Sequence, residues 1–152
     1  MSFSQSLSHC QFYYVDKFII IASGNEIVLY SYHIDNIKSD LKRQITNSKY
    51  KQIKTIKMSE FQNISAFSAV NSFYSYIGLC CGSNKSIAVI DFNVGSVITQ
   101  KSNTHERCIH TIEQFTEPNN GSSSDHQYNL FLTSAASDCI KLWDLRTREF
   151  ST

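Results

Sequence analysis

The 152-residue sequence predicts an all-β, antiparallel protein, and two observations carry that expectation. Six short runs rich in β-branched and aromatic residues punctuate the chain: Lys17 to Ala22, Ile27 to Tyr32, Tyr76 to Cys81, Ile87 to Phe92, Leu130 to Ala135 and Ile140 to Leu145. They fall into three pairs, joined by Ser23 to Glu26, Gly82 to Ser86 and Ala136 to Cys139, a length that suits hairpin loops. The second run of each pair also repeats. Ile27-Val28-Leu29-Tyr30-Ser31-Tyr32, Ile87-Ala88-Val89-Ile90-Asp91-Phe92 and Ile140-Lys141-Leu142-Trp143-Asp144-Leu145 are apolar at the first, third, fourth and sixth places.

The remaining patterned segments complete each unit in chain order. His9 to Tyr14 is the first strand of the first unit, and Tyr50 to Met58 its fourth. Ile64 to Val70 and Val97 to Gln100 flank the second pair, and Cys108 to Gln114 precedes the third, giving eleven strands. Two polar stretches interrupt the repeat: 34–49, read as a helix-tinged insertion, and 116–128, which has loop chemistry and the chain's one proline. Tyr30 to Ile90 spans 60 residues and Ile90 to Trp143 spans 53; without the 16 and 13 inserted residues the intervals become 44 and 40. The three units then run about 8–58, 61–100 and 104–147.

The third copy in full, Leu130-Phe131-Leu132-Thr133-Ser134-Ala135-Ala136-Ser137-Asp138-Cys139-Ile140-Lys141-Leu142-Trp143-Asp144-Leu145-Arg146, resembles the second half of a WD repeat. The middle copy keeps Asp91 but has Ile90 in place of the tryptophan, and the first has Tyr30-Ser31 in place of the dipeptide. The shortened intervals match the roughly 40 to 45 residues at which WD repeats recur. The resemblance to the WD-repeat β-propeller family implies a partial, unclosed propeller of about two and three-quarter four-stranded blades. A closed ring typically has about 4 to 8 blades, so the expectation is a fragment of a longer propeller, with the remainder packing on its exposed blade faces. Three less common strings, Phe12 to Phe18, Tyr32 to Asp35 and Tyr128 to Thr133, resemble one member of that family along nearly the whole chain.

The same resemblance implies a structural hydrogen-bond network, because polar groups buried between blades must be paired. In it Trp143 is the indole donor and Thr133 or Ser134 the hydroxyl. His105, after Thr104, takes the place of the family's Gly-His dipeptide, and Asp138 is the turn carboxylate. Asp138 departs from the pattern by standing five rather than six residues before the tryptophan, with Ser137 in the usual place. His, Thr or Ser and Asp also make up catalytic triads, but no nucleophile turn or oxyanion-hole motif accompanies them, so no catalytic residue is assigned.

Composition narrows the function classes. Fourteen Lys and Arg against thirteen Asp and Glu leave a formal net charge of +1, which disfavours a nucleic-acid or membrane partner for the chain as a whole. The longest apolar run, Phe18 to Ala22, is far short of the roughly 20 residues that cross a bilayer. Met1 to Ser6 carries no secretory signal, and five cysteines without recurring spacing suit a reducing, intracellular compartment, cytoplasmic or nuclear. His105 and His110 are five apart, unlike the i, i+4 pair of a zinc-binding helix, and no phosphate loop or dinucleotide fingerprint occurs; no metal or cofactor is expected.

What remains is a non-enzymatic scaffold that binds other proteins through loops on a rigid frame. The loops opposite the insertions form a rim on which Arg107 is the expected anchor, with Lys85 and Glu106 around it. The alternative is a phosphate polymer or acidic lipid bound by 38–57, where Lys38, Lys42, Arg43, Lys49, Lys51, Lys54 and Lys57 are half of the chain's basic residues.

Overall fold

The structure is a computed structural model that describes residues 5–37, 45–115 and 127–147. Eleven strands occur among these residues: β1 (Leu7–Tyr13), β2 (Phe18–Ser23), β3 (Glu26–Ile37), β4 (Ile45–Lys57), β5 (Ile64–Ala69), β6 (Ile77–Gly82), β7 (Ile87–Asp91), β8 (Ser96–Lys101), β9 (Ile109–Gln114), β10 (Leu130–Ala135) and β11 (Ile140–Asp144). Every neighbouring pair is antiparallel, in three sheets that follow chain order: β1-β2-β3-β4 (sheet I), β5-β6-β7-β8 (sheet II) and β9-β10-β11 (sheet III). The described residues include no α-helix, only a 3-10 turn at Gln127–Asn129.

The sheets stack in order because the central strands are apolar on both faces. In sheet II the alternation along β5, β6 and β7 sends Phe67, Cys80, Ala88 and Ile90 toward sheet I, where they pack with Ile20, Ile27 and Leu29. The intervening Leu79, Cys81, Ile87 and Val89 point the other way, into a second core with Ile109, Ile112, Phe131 and Trp143 of sheet III. Glycine is required where a neighbouring ring crosses the sheet: a Cβ on Gly78 would lie 2.6 Å from the Phe92 ring. The outer faces of the two end sheets differ: on sheet I Ile21, Val28 and Tyr30 are buried, whereas sheet III leaves apolar side chains exposed. Ile19, Ile21, Val28 and Tyr30 form a small cluster on the outer face of sheet I, and Leu132, Ile140 and Leu142 share the solvent-exposed face of sheet III.

The stretch 34–49 corrects the sequence reading. It was expected to be a helix-tinged insertion separate from the strands, but the β3–β4 ladder runs through its described part, with Ile34 opposite Ser48, Asn36 opposite Thr46 and Ile37 opposite Ile45. Isoleucine and threonine favour extended backbone, and a ladder already begun adds each further pair with little extra loss of freedom. Residues 38–44, including Lys38, Lys42 and Arg43, and 116–126 of the second insertion lie outside the described residues.

The β1–β2 turn places Tyr14, Val15 and Asp16 all at positive φ, between 49° and 60°. Left-handed backbone costs an L-residue about 1–2 kcal/mol, so three in succession need external support. Asn71 supplies it across the sheet boundary: its Nδ2 donates to Asp16 Oδ1 at 2.8 Å, and its Oδ1 accepts from the Asp16 backbone N–H at 3.2 Å.

Candidate functional site

Four of the sequence-predicted residues meet at the boundary between sheets II and III. Trp143 on β11 lies directly opposite Phe131 on β10, their rings stacked at 6.1 Å. Thr133 follows two residues after Phe131 and so points to the same face. His105 reaches that face from the segment between β8 and β9, and Asp138 from the β10–β11 turn, where Ser137 adopts φ 57°.

The indole N–H of Trp143 donates to Thr133 Oγ1 at 2.7 Å, Thr133 Oγ1 lies 2.7 Å from His105 Nε2, and His105 Nδ1 lies 2.7 Å from Asp138 Oδ2. One assignment of protons satisfies every group. Since Thr133 accepts from the indole, its hydroxyl proton goes to His105 Nε2; the imidazole then carries its hydrogen on Nδ1 and donates it to the carboxylate. Thr133 is 1% exposed and Trp143 3%, so a missing link would strand a buried polar group.

Asp138 ends the chain as an anion. The backbone N–H of Glu106 donates to its Oδ2 at 2.9 Å and that of Cys139 to its Oδ1 at 2.7 Å. These two N–H groups, in that order, and then His105 hold its carboxyl well below the usual carboxylate range. The five-residue spacing to the tryptophan therefore does not keep Asp138 out of the network, because the turn through Ser137 brings the carboxylate to the start of the segment before β9. Ser134, the alternative hydroxyl, takes no part; alternation along β10 turns it to the opposite face.

Two contributors escaped the sequence reading. Thr104 bonds its N–H and its hydroxyl to the Lys85 carbonyl of sheet II, at 3.0 and 2.9 Å. Lys141 donates from Nζ to the Thr104 carbonyl at 2.6 Å. A lone threonine before a histidine and a lysine inside a strand carry no recognisable spacing signal. Together they tie the segment 104–106 to both sheets, and so bring the expected rim residues to one place. Lys85 is half-buried in the β6–β7 turn at φ 66°, and Glu106 and Arg107 are exposed immediately after the His105 anchor.

Other expectations are placed as follows. Cys80 and Cys81 are fully buried and burial pushes both thiols up, while Cys10 and Cys139 are exposed; all five cysteines are free. No group of three or more His, Cys, Asp or Glu among the described residues could hold a metal ion. No helix among them is long and apolar enough to cross a membrane. Of the basic residues in 38–57, Lys49, Lys51, Lys54 and Lys57 are described and exposed on β4, and Lys57 pairs with Glu26 at 2.9 Å. No protein-family model matches the chain.

Proposed function

We propose that the chain is part of a WD-repeat propeller and serves as a non-enzymatic scaffold for other proteins. The observation that carries this reading is the buried Trp143–Thr133–His105–Asp138 chain, which spends its reactive groups on one another. A Thr133 hydroxyl that is 1% exposed, accepts from the indole and donates to His105 lies out of a substrate's reach, so the residue types of a triad act here as a tie. In this reading the three sheets are blades, and the remaining blades pack on the outer faces of the end sheets, of which that of sheet III exposes Leu132, Ile140 and Leu142. The less common strings around Tyr13, His33 and Phe131 resemble WD repeat-containing protein 27. Five unpaired thiols suit a reducing interior, cytoplasmic or nuclear.

Partners dock on the rim held in place by the tie, with Arg107 as the anchor and Lys85 and Glu106 beside it. The test is a pull-down with the complete propeller carrying Arg107→Ala and Lys85→Ala, beside a second variant with the basic residues of 38–57 neutralised. Partners lost from the first variant and kept by the second support the rim. The reverse pattern rejects it and moves partner binding to the β3–β4 hairpin.

A further inference from the structure

Strand β4 is the outer edge of sheet I and is thirteen residues long. Among the described residues its strand pairing runs only to β3, so its other side is an open edge of the sheet. The register decides where its lysines point. Ile27 and Leu29 of β3 face the core and lie opposite Ile56 and Lys54; Ser31 and His33 continue that face and lie opposite Lys51 and Lys49.

Lys51 and Lys54 are three residues apart, a separation that would put them on opposite faces of a regular strand. The register shift at Leu29/Tyr30 makes Ile53 the extra residue and restores the parity. Lys49, Lys51 and Lys54 therefore form one row of cations beside an open edge. All three are exposed, and none has an ion-pair partner among the described residues. Lys57, on the other face, is already paired with Glu26.

We propose that this edge is a docking site for an extended acidic segment of a partner protein, which adds to sheet I as a fifth strand. Two features meet on β4, and this occupant uses both. Outward N–H and C=O groups supply main-chain pairing, and residues two apart in the added strand, about 6.8 Å from each other, present carboxylates at the spacing of Lys49 and Lys51. The phosphates of a nucleic acid or an acidic lipid would use the charges alone and leave the backbone edge idle. The lysine row also excludes the wrong strands. A second copy of β4 would set like charges opposite one another, and an apolar strand would desolvate three ammonium groups without a partner. Edge lysines usually prevent strand addition; here they select its sign.

The experiment titrates the 152-residue chain against a fluorescent peptide alternating glutamate with valine, at low ionic strength, and reads anisotropy and amide exchange along β4. Binding is expected, with outward β4 amides slowed at least about tenfold. The triple variant Lys49→Glu, Lys51→Glu and Lys54→Glu should weaken the peptide at least about tenfold and bind the lysine counterpart of that peptide instead. A peptide with alternate backbone amides methylated keeps its charge but loses its donors, and should not bind. No binding of the glutamate peptide overturns the proposal, as does equal binding of the methylated peptide, which would mean charge attraction without strand addition. Tighter binding of an oligonucleotide or of phosphatidylserine vesicles than of the peptide would assign the row to phosphates and also overturn it. The Arg107 rim is untouched by these substitutions, so either site can fail without the other.

Discussion

Sheets II and III present the same register to the sheet before them but fill it with opposite chemistry. Ten residues before Trp143 stands Thr133, the hub of the polar chain; ten residues before Ile90 stands Cys80, fully buried. The segment entering β9 sends in His105, whereas the segment entering β5 sends in Met58, whose Sδ lies 3.9 Å from Cys80 Sγ, and Phe61. A backbone of this shape therefore accepts either an oriented chain of hydrogen bonds or an apolar plug. The polar version adds directional constraint: it fixes the ring planes of Trp143 and His105 and pins Glu106 to the β10–β11 turn. The apolar version is more tolerant, since a thiol is only a weak donor and a thioether only a weak acceptor.

The substitution expected to separate the two sites most strongly is Thr133→Val. It keeps the shape but leaves the Trp143 indole N–H and His105 Nε2 unpaired, at about 3 kcal/mol of stability, read by urea denaturation. A loss below about 1 kcal/mol would show that the chain is not what ties sheet III in place. The converse, Cys80→Thr, plants a hydroxyl in sheet II without its partners and should cost about 2 kcal/mol in the same assay. An unchanged midpoint there would mean that the sheet II site can satisfy a hydroxyl after all, and the contrast between the sheets would dissolve.

Acid should act on one site and not on the other. The Asp138 carboxyl titrates lower in the folded chain than in the unfolded one, so its contribution is fully present above the unfolded value of about 3.9 and is lost as pH falls toward the folded one. Thermal melts of the native chain should therefore lose stability below about pH 4, and Asp138→Asn should flatten that part of the profile. A slope unchanged by Asp138→Asn would place the acid sensitivity elsewhere. The smallest effect is expected for Ser134→Ala, one residue from the hub but on the other face: within about 0.5 kcal/mol of the native chain by urea denaturation.

The sequence carried the strand pairs because three hairpins repeat one apolar pattern, and short-range alternation survives in all of them. It pointed to Trp143, to Thr133 or Ser134, and to His105 only through the resemblance of the third copy to a WD repeat. Asp138 was less legible because its role depends on a turn conformation at Ser137 that shifts the carboxylate by one position, and a spacing count cannot see φ. The continuation of β3 and β4 into 34–49 was hidden for a related reason: Asp35, Asn36 and Asn47 break the alternation, and only pairing with the partner strand shows that the backbone stays extended.

By itself, then, the sequence determined local matters: which segments are extended, where they turn back, and which face of each strand is apolar. Steric preference and a two-residue period act over a few residues and are written in composition. The tertiary structure alone decided which polar groups become buried together, how Thr104 and Lys141 lock the rim segment to two sheets, and that a bulge at Ile53 aligns Lys49, Lys51 and Lys54. Those outcomes depend on register between strands, where a shift of one residue reverses every side chain, and register is set by packing across sheets rather than by any one segment.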